Sequence, residues 1–384
     1  MLDCIIIGAG PAGSGAAYHL AKRGRSVLVL EREALPRYKA CAGGISPQIA
    51  TWYDFSFEPV ISQRVDRIGF TWKLGDPVEA IIDTPEPMWM VKREVFDHYL
   101  VQQAQHQGAV IQDQTTVTGA SFQGDHWQVK TATTTHIARY VIAADGCNSA
   151  MAKALGLHHR RPRTSLTLEL PITLPPDQAR YSHFEFGLIK NGYVWYFPKA
   201  DRLTFNAATM VGGAAKDLQS PLFEYVRHFG FDPALGTLHP SQFSLWDGHH
   251  PLQGRQGLLV GDAAGLADPF STEGVRPAML SGLRAAETLD RALNGEPDRS
   301  PTALAAYTAA LREDWNNDMV WASRIAGLFY RVTNFGYQIG VKRPSARARM
   351  GKILCGDLRY QDVSTRALKL LGSKLIPGST PPKG

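Results

Sequence analysis

Gly8, Gly10 and Gly13 stand in a G-x-G-x-x-G spacing, and Glu31 follows Gly13 by 18 residues. Glycines so placed let a backbone turn tightly and approach a pyrophosphate, and a later acid accepts ribose hydroxyls. Gly8 would allow the turn, Gly10 the approach, and Gly13 the close lie of helix on strand. Pro11 and Ala12 would open the helix whose free N–H groups and positive dipole end receive phosphate charge. A carboxylate at Glu31 would repel a 2′-phosphate, so the expected nucleotide is FAD or NAD rather than NADP. Arg32 beside it is a further contact candidate. Two more acids close apolar runs: Asp145 before Gly146, and Asp262 after Gly261. A one-unit NAD dehydrogenase would not need them. A glycine-rich turn without a ligand would leave Glu31 unexplained.

The surrounding residues supply the elements that must hold these groups. Leu2–Ile7 and Val27–Leu30 read as buried parallel strands. Gly13, Ala16, Ala17 and Leu20 share one face of the helix between them, which Gly24 ends as a C′ glycine. Val141–Ala144 and Leu258–Val260 read as further buried strands. Pro269 and Glu273-Gly274 follow the last one, and then a helix with Met279, Gly282, Leu283, Ala286 and Leu289 on one side. Arg93 starts another helix, with Phe96, Leu100 and Ala104 on one face. A strand is expected over about 110–117.

This order of motifs resembles the FAD-dependent oxidoreductases of the para-hydroxybenzoate hydroxylase fold. The resemblance implies that Asp262 hydrogen-bonds the ribityl chain of FAD. It also implies that N–H groups at Gly274 and Val275 point at the flavin N1–C2=O edge, where reduction places negative charge. Asp145 would lie near the pyrophosphate, Arg93 would reach FAD, and Val117 would pass the adenine. A solvated helix-start residue is the alternative for Arg93.

Two segments resemble the geranylgeranyl reductase family within that group. Pro36 to Ile45 follows its P-x-x-K-x-C-G-G-G-[IL] motif, and Tyr193 to Lys199 its Y-x-W-x-F-P-K motif. Ala42 departs from the first pattern, which puts the loop geometry in question. The resemblance implies a loop of Cys41, Ala42, Gly43 and Ile45 beside the flavin. Cys41 is then either a proton source, hence catalytic, or a small packing residue. Hydroxylases of the fold usually carry arginine where Ala152 stands. Tyr193, Trp195 and Phe197 share one face of a strand, as do Phe184 and Phe186 on the one before it, across an Asn191-Gly192 turn. If the two sets meet, they form a substrate wall; an ordinary sheet core is the other reading.

The expected fold is α/β: a discontinuous Rossmann-type FAD-binding domain (1–50, 93–158 and 254–296), an antiparallel β-sheet substrate domain (51–92 and 159–253) and a helical C-terminal region (297–384) with a basic tail. Leu304, Tyr307, Leu311, Trp315 and Met319 make one helical stripe there; Val363, Ala367, Leu371 and Leu375 would make another. The implied activity is saturation of isoprenoid double bonds by reduced flavin, with NADPH or ferredoxin as donor. An aromatic or polyketide hydroxylase or halogenase is the alternative, and a non-catalytic prenyl-lipid carrier a third.

The 384 residues are 44% apolar and 20% charged, which excludes a mainly disordered chain. The four cysteines form no CxxC pair, and neighbouring histidines (His158-His159, His249-His250) cannot both face one ion, so no metal is expected. No secretory signal or apolar span is legible, so a cytoplasmic enzyme is expected. The net charge of +6 divides unevenly. Residues 331–384 hold eleven basic and two acidic side chains, a balance of +9, and the rest of the chain carries −3. Such a tail suits an anionic membrane surface better than nucleic acid, and a solvated face is the plainer alternative.

Overall fold

Leu2–Ile7 pairs in parallel with Val27–Leu30 on one side and Thr135–Ala143 on the other. A computed structural model describes residues 1–158, 160–213, 217–295 and 304–363. Ile7 is level with Leu30 and Ala143, and Ala143 with Leu259. The turns carrying Gly8, Glu31, Asp145 and Asp262 therefore leave one edge of the sheet together, where open α/β sheets bind ligands. The full order is Gln253–Gly254, Gly257–Leu259, Thr135–Ala143, Leu2–Ile7, Val27–Leu30 and Val110–Gln112, with Trp127–Lys130 and Gly119–Phe122 added beside the third. The Pro11–Lys22 helix packs on the Val275–Asn294 helix, closely enough that a Cβ at Gly282 would lie 2.5 Å from the Ala12 carbonyl.

The strand expected over 110–117 is only Val110–Gln112. Gln114 takes a positive φ of 48°, and the Thr115 N–H donates to the Glu31 carbonyl, so the chain leaves the sheet before Val117.

A second sheet orders Thr237–Phe243, Arg163–Leu170, Leu203–Thr209, Gly192–Pro198, Tyr181–Phe186, Arg67–Trp72 and Gly75–Ile81. It is antiparallel apart from one pair: Tyr181–Phe186 runs parallel to Arg67–Trp72. The chain between those two strands passes through the nucleotide sheet, and such a long crossover allows parallel pairing. One face carries Leu168, Phe205, Tyr196 and Val194 against the Gln219–His228 helix. The other carries the aromatic residues of the candidate site.

Helices Ala305–Leu311, Asn317–Arg331, Thr333–Gly336 and Pro344–Cys355 follow. Leu304, Tyr307, Leu311, Trp315 and Met319 all enter the nucleotide-sheet core, as their stripe requires. The second stripe, apart from Val363, lies outside the described residues. No helix among the described residues is long and apolar enough to cross a membrane.

Candidate active site

A cavity of about 790 Å³ lies between the two sheets, within the usual range for a small-molecule site. Gly8 has φ +102°, and a Cβ there would lie 2.3 Å from the Ala144 carbonyl. A Cβ at Gly13 would lie 1.9 Å from the Gly8 carbonyl, so Gly13 serves the strand–helix contact and does not line the cavity. A Cβ at Gly10 would meet only the Arg37 guanidinium, 3.6 Å away, and would fill cavity space. Pro11 and Ala12 line the same end. The buried Glu31 carboxylate accepts from the Ala9 N–H (2.8 Å) and the Glu33 N–H (3.1 Å), with Arg37 Nε at 3.5 Å. Arg32 is exposed at the rim, and Val117 lines the wall beside Thr115 and Thr116.

Beside the glycine turn, Asp145, Asp262, Gly274 and Val275 also converge on the cavity. Gly274 caps the 20-residue Val275–Asn294 helix, whose N-terminus therefore opens there. Burial pushes the Asp145 carboxyl up from its ordinary range, against help from Ser149 and the Met151 N–H. Burial also raises Asp262, opposed by Lys39 and Arg93. Arg93 is buried, not solvated, and grips Asp97 with two bonds of 2.7 and 2.8 Å.

Cys41, Ala42 and Gly43 line the cavity. Gly43 has φ +78°, and a Cβ there would lie 2.2 Å from the Val91 carbonyl; one at Gly44 would lie 2.5 Å from the Phe197 ring. The loop needs glycine at those two positions, while Ala42 packs its methyl on the aromatic cluster. The departure at Ala42 is therefore accommodated. Ile45 turns its side chain into a core with Trp89 and Phe96 and does not line the cavity, though Gly44 and Ser46 do.

The segment 266–272, after Asp262, is held from outside. Trp315 Nε1 donates to the Leu266 carbonyl (2.9 Å), Tyr330 to the Phe270 carbonyl (2.6 Å) and Tyr360 to Asp268 (2.6 Å). Asp268 is fully buried and accepts from the Phe270 N–H and the Ser271 hydroxyl at 2.7 Å each. Sequence reading missed these three aromatic props, because nothing local relates them to the loop.

The aromatic sets do meet. Phe184 lies opposite Trp195, and Phe186 opposite Tyr193. All four rings, with Phe197, belong to one buried cluster. Trp195, Phe197 and Phe184 line the large cavity. Tyr193 does not; it lines a second, apolar cavity of about 190 Å³ that also touches Phe184 and Ser271. One cross-strand row runs Thr167, Asn206, Trp195, Phe184, Phe70, changing from polar to apolar across the sheet. Thr167 donates to Asn206 Oδ1 at 2.8 Å, and both line the large cavity.

Lys199 lies behind the Cys41–Gly43 loop, its Cε 3.1 Å from where a Gly43 Cβ would stand, and bonds Thr204. Burial lowers its ammonium to about 8, opposed by Glu169 and Cys41. It stands in the second family motif, which was the available signal. One histidine of each pair meets Asp247: His158 Nε2 at 3.6 Å and His250 Nε2 at 3.4 Å. Their rings stack in parallel at 4.4 Å, and Arg160 contacts the same carboxylate at 3.3 Å. Parallel rings do not aim their lone pairs at one point, so we assign no ion to this cluster.

The donor set fits a flavin dinucleotide. Asp145 Oδ1 is buried without a partner at the nucleotide edge, and Gly10 leaves open the space a side chain would fill. Residues 1–183 match an FAD binding domain. The chain is 30% identical over 292 residues to an uncharacterized protein of Methanosarcina barkeri, covering 76% of this chain and 75% of that one. It is 29% identical over 335 residues to the digeranylgeranylglycerophospholipid reductase of Methanocaldococcus jannaschii, covering 81% and 82%. A geranylgeranyl bacteriochlorophyll reductase-like protein of Thermoplasma acidophilum superposes with TM-score 0.76 at 21% identity, over 97% and 96% of the two chains. A flavin-dependent brominase shares the fold with TM-score 0.69 at 19% identity, over 97% and 99%. By its motifs, its fold and these relatives, the chain belongs to the geranylgeranyl reductase family of FAD-dependent oxidoreductases.

Proposed function

We propose that this enzyme saturates carbon–carbon double bonds of a geranylgeranyl-type isoprenoid chain, carried by a lipid or a prenyl diphosphate. One observation carries the reading: the Phe184–Trp195 and Phe186–Tyr193 register makes a continuous aromatic face that runs from the large cavity into the small apolar one. A long flexible hydrocarbon needs such a face, because an unactivated alkene offers no carbonyl to polarise. Rate must come from positioning and from exclusion of water.

Bound FAD, reduced by NADPH or ferredoxin, supplies the hydride. Gly8, Gly10, Glu31, Arg93, Asp145, Asp262, Gly274 and Val275 hold it. Trp195, Phe197 and Phe184 orient the alkene, and Tyr193 lines the path of the chain beyond it. Cys41 holds a proton at Sγ for the second alkene carbon, with Lys199 behind its loop. In this reading segments 1–50, 93–158 and 254–296 form the cofactor body, 51–92 and 159–253 the substrate body, and the described residues 304–363 of the C-terminal region brace them.

The test is anaerobic. Protein with reduced FAD is mixed with a geranylgeranyl lipid, and flavin reoxidation is followed with the product mass. A gain of two hydrogens per saturated bond is expected; no reoxidation across several prenyl lipids overturns the substrate assignment. A hydroxylase or halogenase is the second reading, favoured by the polar Thr167–Asn206 end of the row. Substrate-dependent oxygen uptake would select it.

A further inference from the structure

The segment 317–341, two helices that meet at Val332 and a closing π-turn, buries some of its large apolar side chains and leaves others exposed. Phe329, Tyr330, Tyr337 and Val341 are buried in the aromatic cluster. Leu328, Val332, Phe335 and Ile339 stand outside, exposed to 66%, 47%, 60% and 39%. They fall within twelve residues, around the break in the helix at Val332 (φ −126°, ψ 54°). Four large apolar side chains left in water within so short a segment are unusual for a surface with no partner.

The flanks of this segment are basic. Residues 319–356 contain Arg324, Arg331, Lys342, Arg343, Arg347, Arg349 and Lys352 and no acid. Lys342 and Lys352 lie near Asp76 (2.8 Å) and Asp83 (3.6 Å). Arg324, Arg331, Arg343 and Arg349 have no carboxylate partner among the described residues. Exposed apolar residues set among arginines that meet no carboxylate among the described residues match the interfacial zone of an anionic bilayer. A second copy of the chain would instead bring like charge against like charge.

We propose that the Leu328–Ile339 segment and its arginines dock this protein on an anionic lipid bilayer. The small cavity is lined by the same elements: Ile325, Phe329, Gly340, Val341, Arg349 and Met350. Docking therefore brings the cavity's lining helices to the lipid surface. Where the isoprenoid reading holds, and only there, a lipid chain passes into the site without crossing water.

The test uses the full-length, FAD-loaded protein and vesicles without prenyl lipid, so docking is scored apart from turnover. Co-sedimentation with vesicles containing phosphatidylglycerol should exceed that with pure phosphatidylcholine by about tenfold or more at low salt, and should weaken as salt rises. A Leu328→Glu/Phe335→Glu double variant should lose about tenfold in binding with flavin content and Tm unchanged, since both side chains are exposed. An Arg324→Gln/Arg331→Gln variant should lose less. Undiminished binding by the glutamate variant would assign docking to residues 364–384 and overturn the proposal. Equal binding to neutral vesicles, or none to either, also overturns it, as does a dimer that the same variant dissolves without vesicle binding. Docking without prenyl turnover leaves this proposal standing and removes the isoprenoid one.

Discussion

The Tyr193 hydroxyl donates to the Ser271 carbonyl across 2.8 Å, with Thr272 Oγ1 at 3.2 Å. This hydroxyl thus ties the aromatic wall to the segment before the Val275–Asn294 helix. Tyr193→Phe keeps the ring and removes the tie. It should cost about 1 kcal/mol of stability and weaken FAD a few-fold. Urea midpoints and flavin titration of the apoprotein would check both; unchanged flavin affinity would separate wall from loop.

Gly43→Ala should be severe and Ala42→Gly mild. At Gly43 the φ is +78° and the Val91 carbonyl stands 2.2 Å from the added atom. A loss of about 2 kcal/mol or more, with poor flavin retention, is expected for Gly43→Ala. For Ala42→Gly the expected loss is at most about 1 kcal/mol. Thermal unfolding of the holoproteins ranks them.

Lys199 predicts a pH dependence. Burial lowers its folded-state value to about 8, below the ordinary 10.5. Between those values the unfolded chain binds a proton that the folded chain does not, so this group makes stability rise with pH. The gain is up to about 3 kcal/mol across the window, and none of it is present below pH 8. Lys199→Met should remove that slope. Denaturant unfolding of both proteins at pH 7 and pH 9.5 makes the comparison; parallel changes would refute the assignment.

Cys41 separates by size and proton. If its Sγ delivers the proton, Cys41→Ala should slow single-turnover flavin reoxidation by about a hundredfold while FAD binding holds, and Cys41→Ser should retain part of the rate. Near-normal rates for both variants would leave Cys41 as a packing residue.

The cofactor edge was legible because its parts are local. Gly8, Gly13 and Glu31 each state their role within one strand–helix–strand unit, and parallel register brings its two strand ends out together. The wall was half legible. Alternation grouped Tyr193 with Trp195 and Phe197, but whether Phe184 meets them depends on strand pairing, which no spacing encodes. Tyr193 consequently falls on the smaller cavity rather than the larger. Ile45 was misread because a two-residue strand turns it into the Trp89 core. The props Trp315, Tyr330 and Tyr360 are separated from their acceptors by dozens of residues, and only the folded chain shows the bonds. The exposure of Leu328, Val332, Phe335 and Ile339 was not legible, because which apolar residues of a segment are left outside is set by the packing of distant elements.

Those props also set an order of events. Translation delivers the glycine turn, Glu31, Asp145 and Asp262 well before Trp315, Tyr330 and Tyr360 leave the ribosome. Until the last of these arrives, Asp268 has no tyrosine to accept from and the 266–272 segment lacks its outer supports. A nascent chain therefore carries the turns of the cavity's nucleotide edge before it carries the outer supports of the 266–272 segment, so that wall of the cavity is completed last.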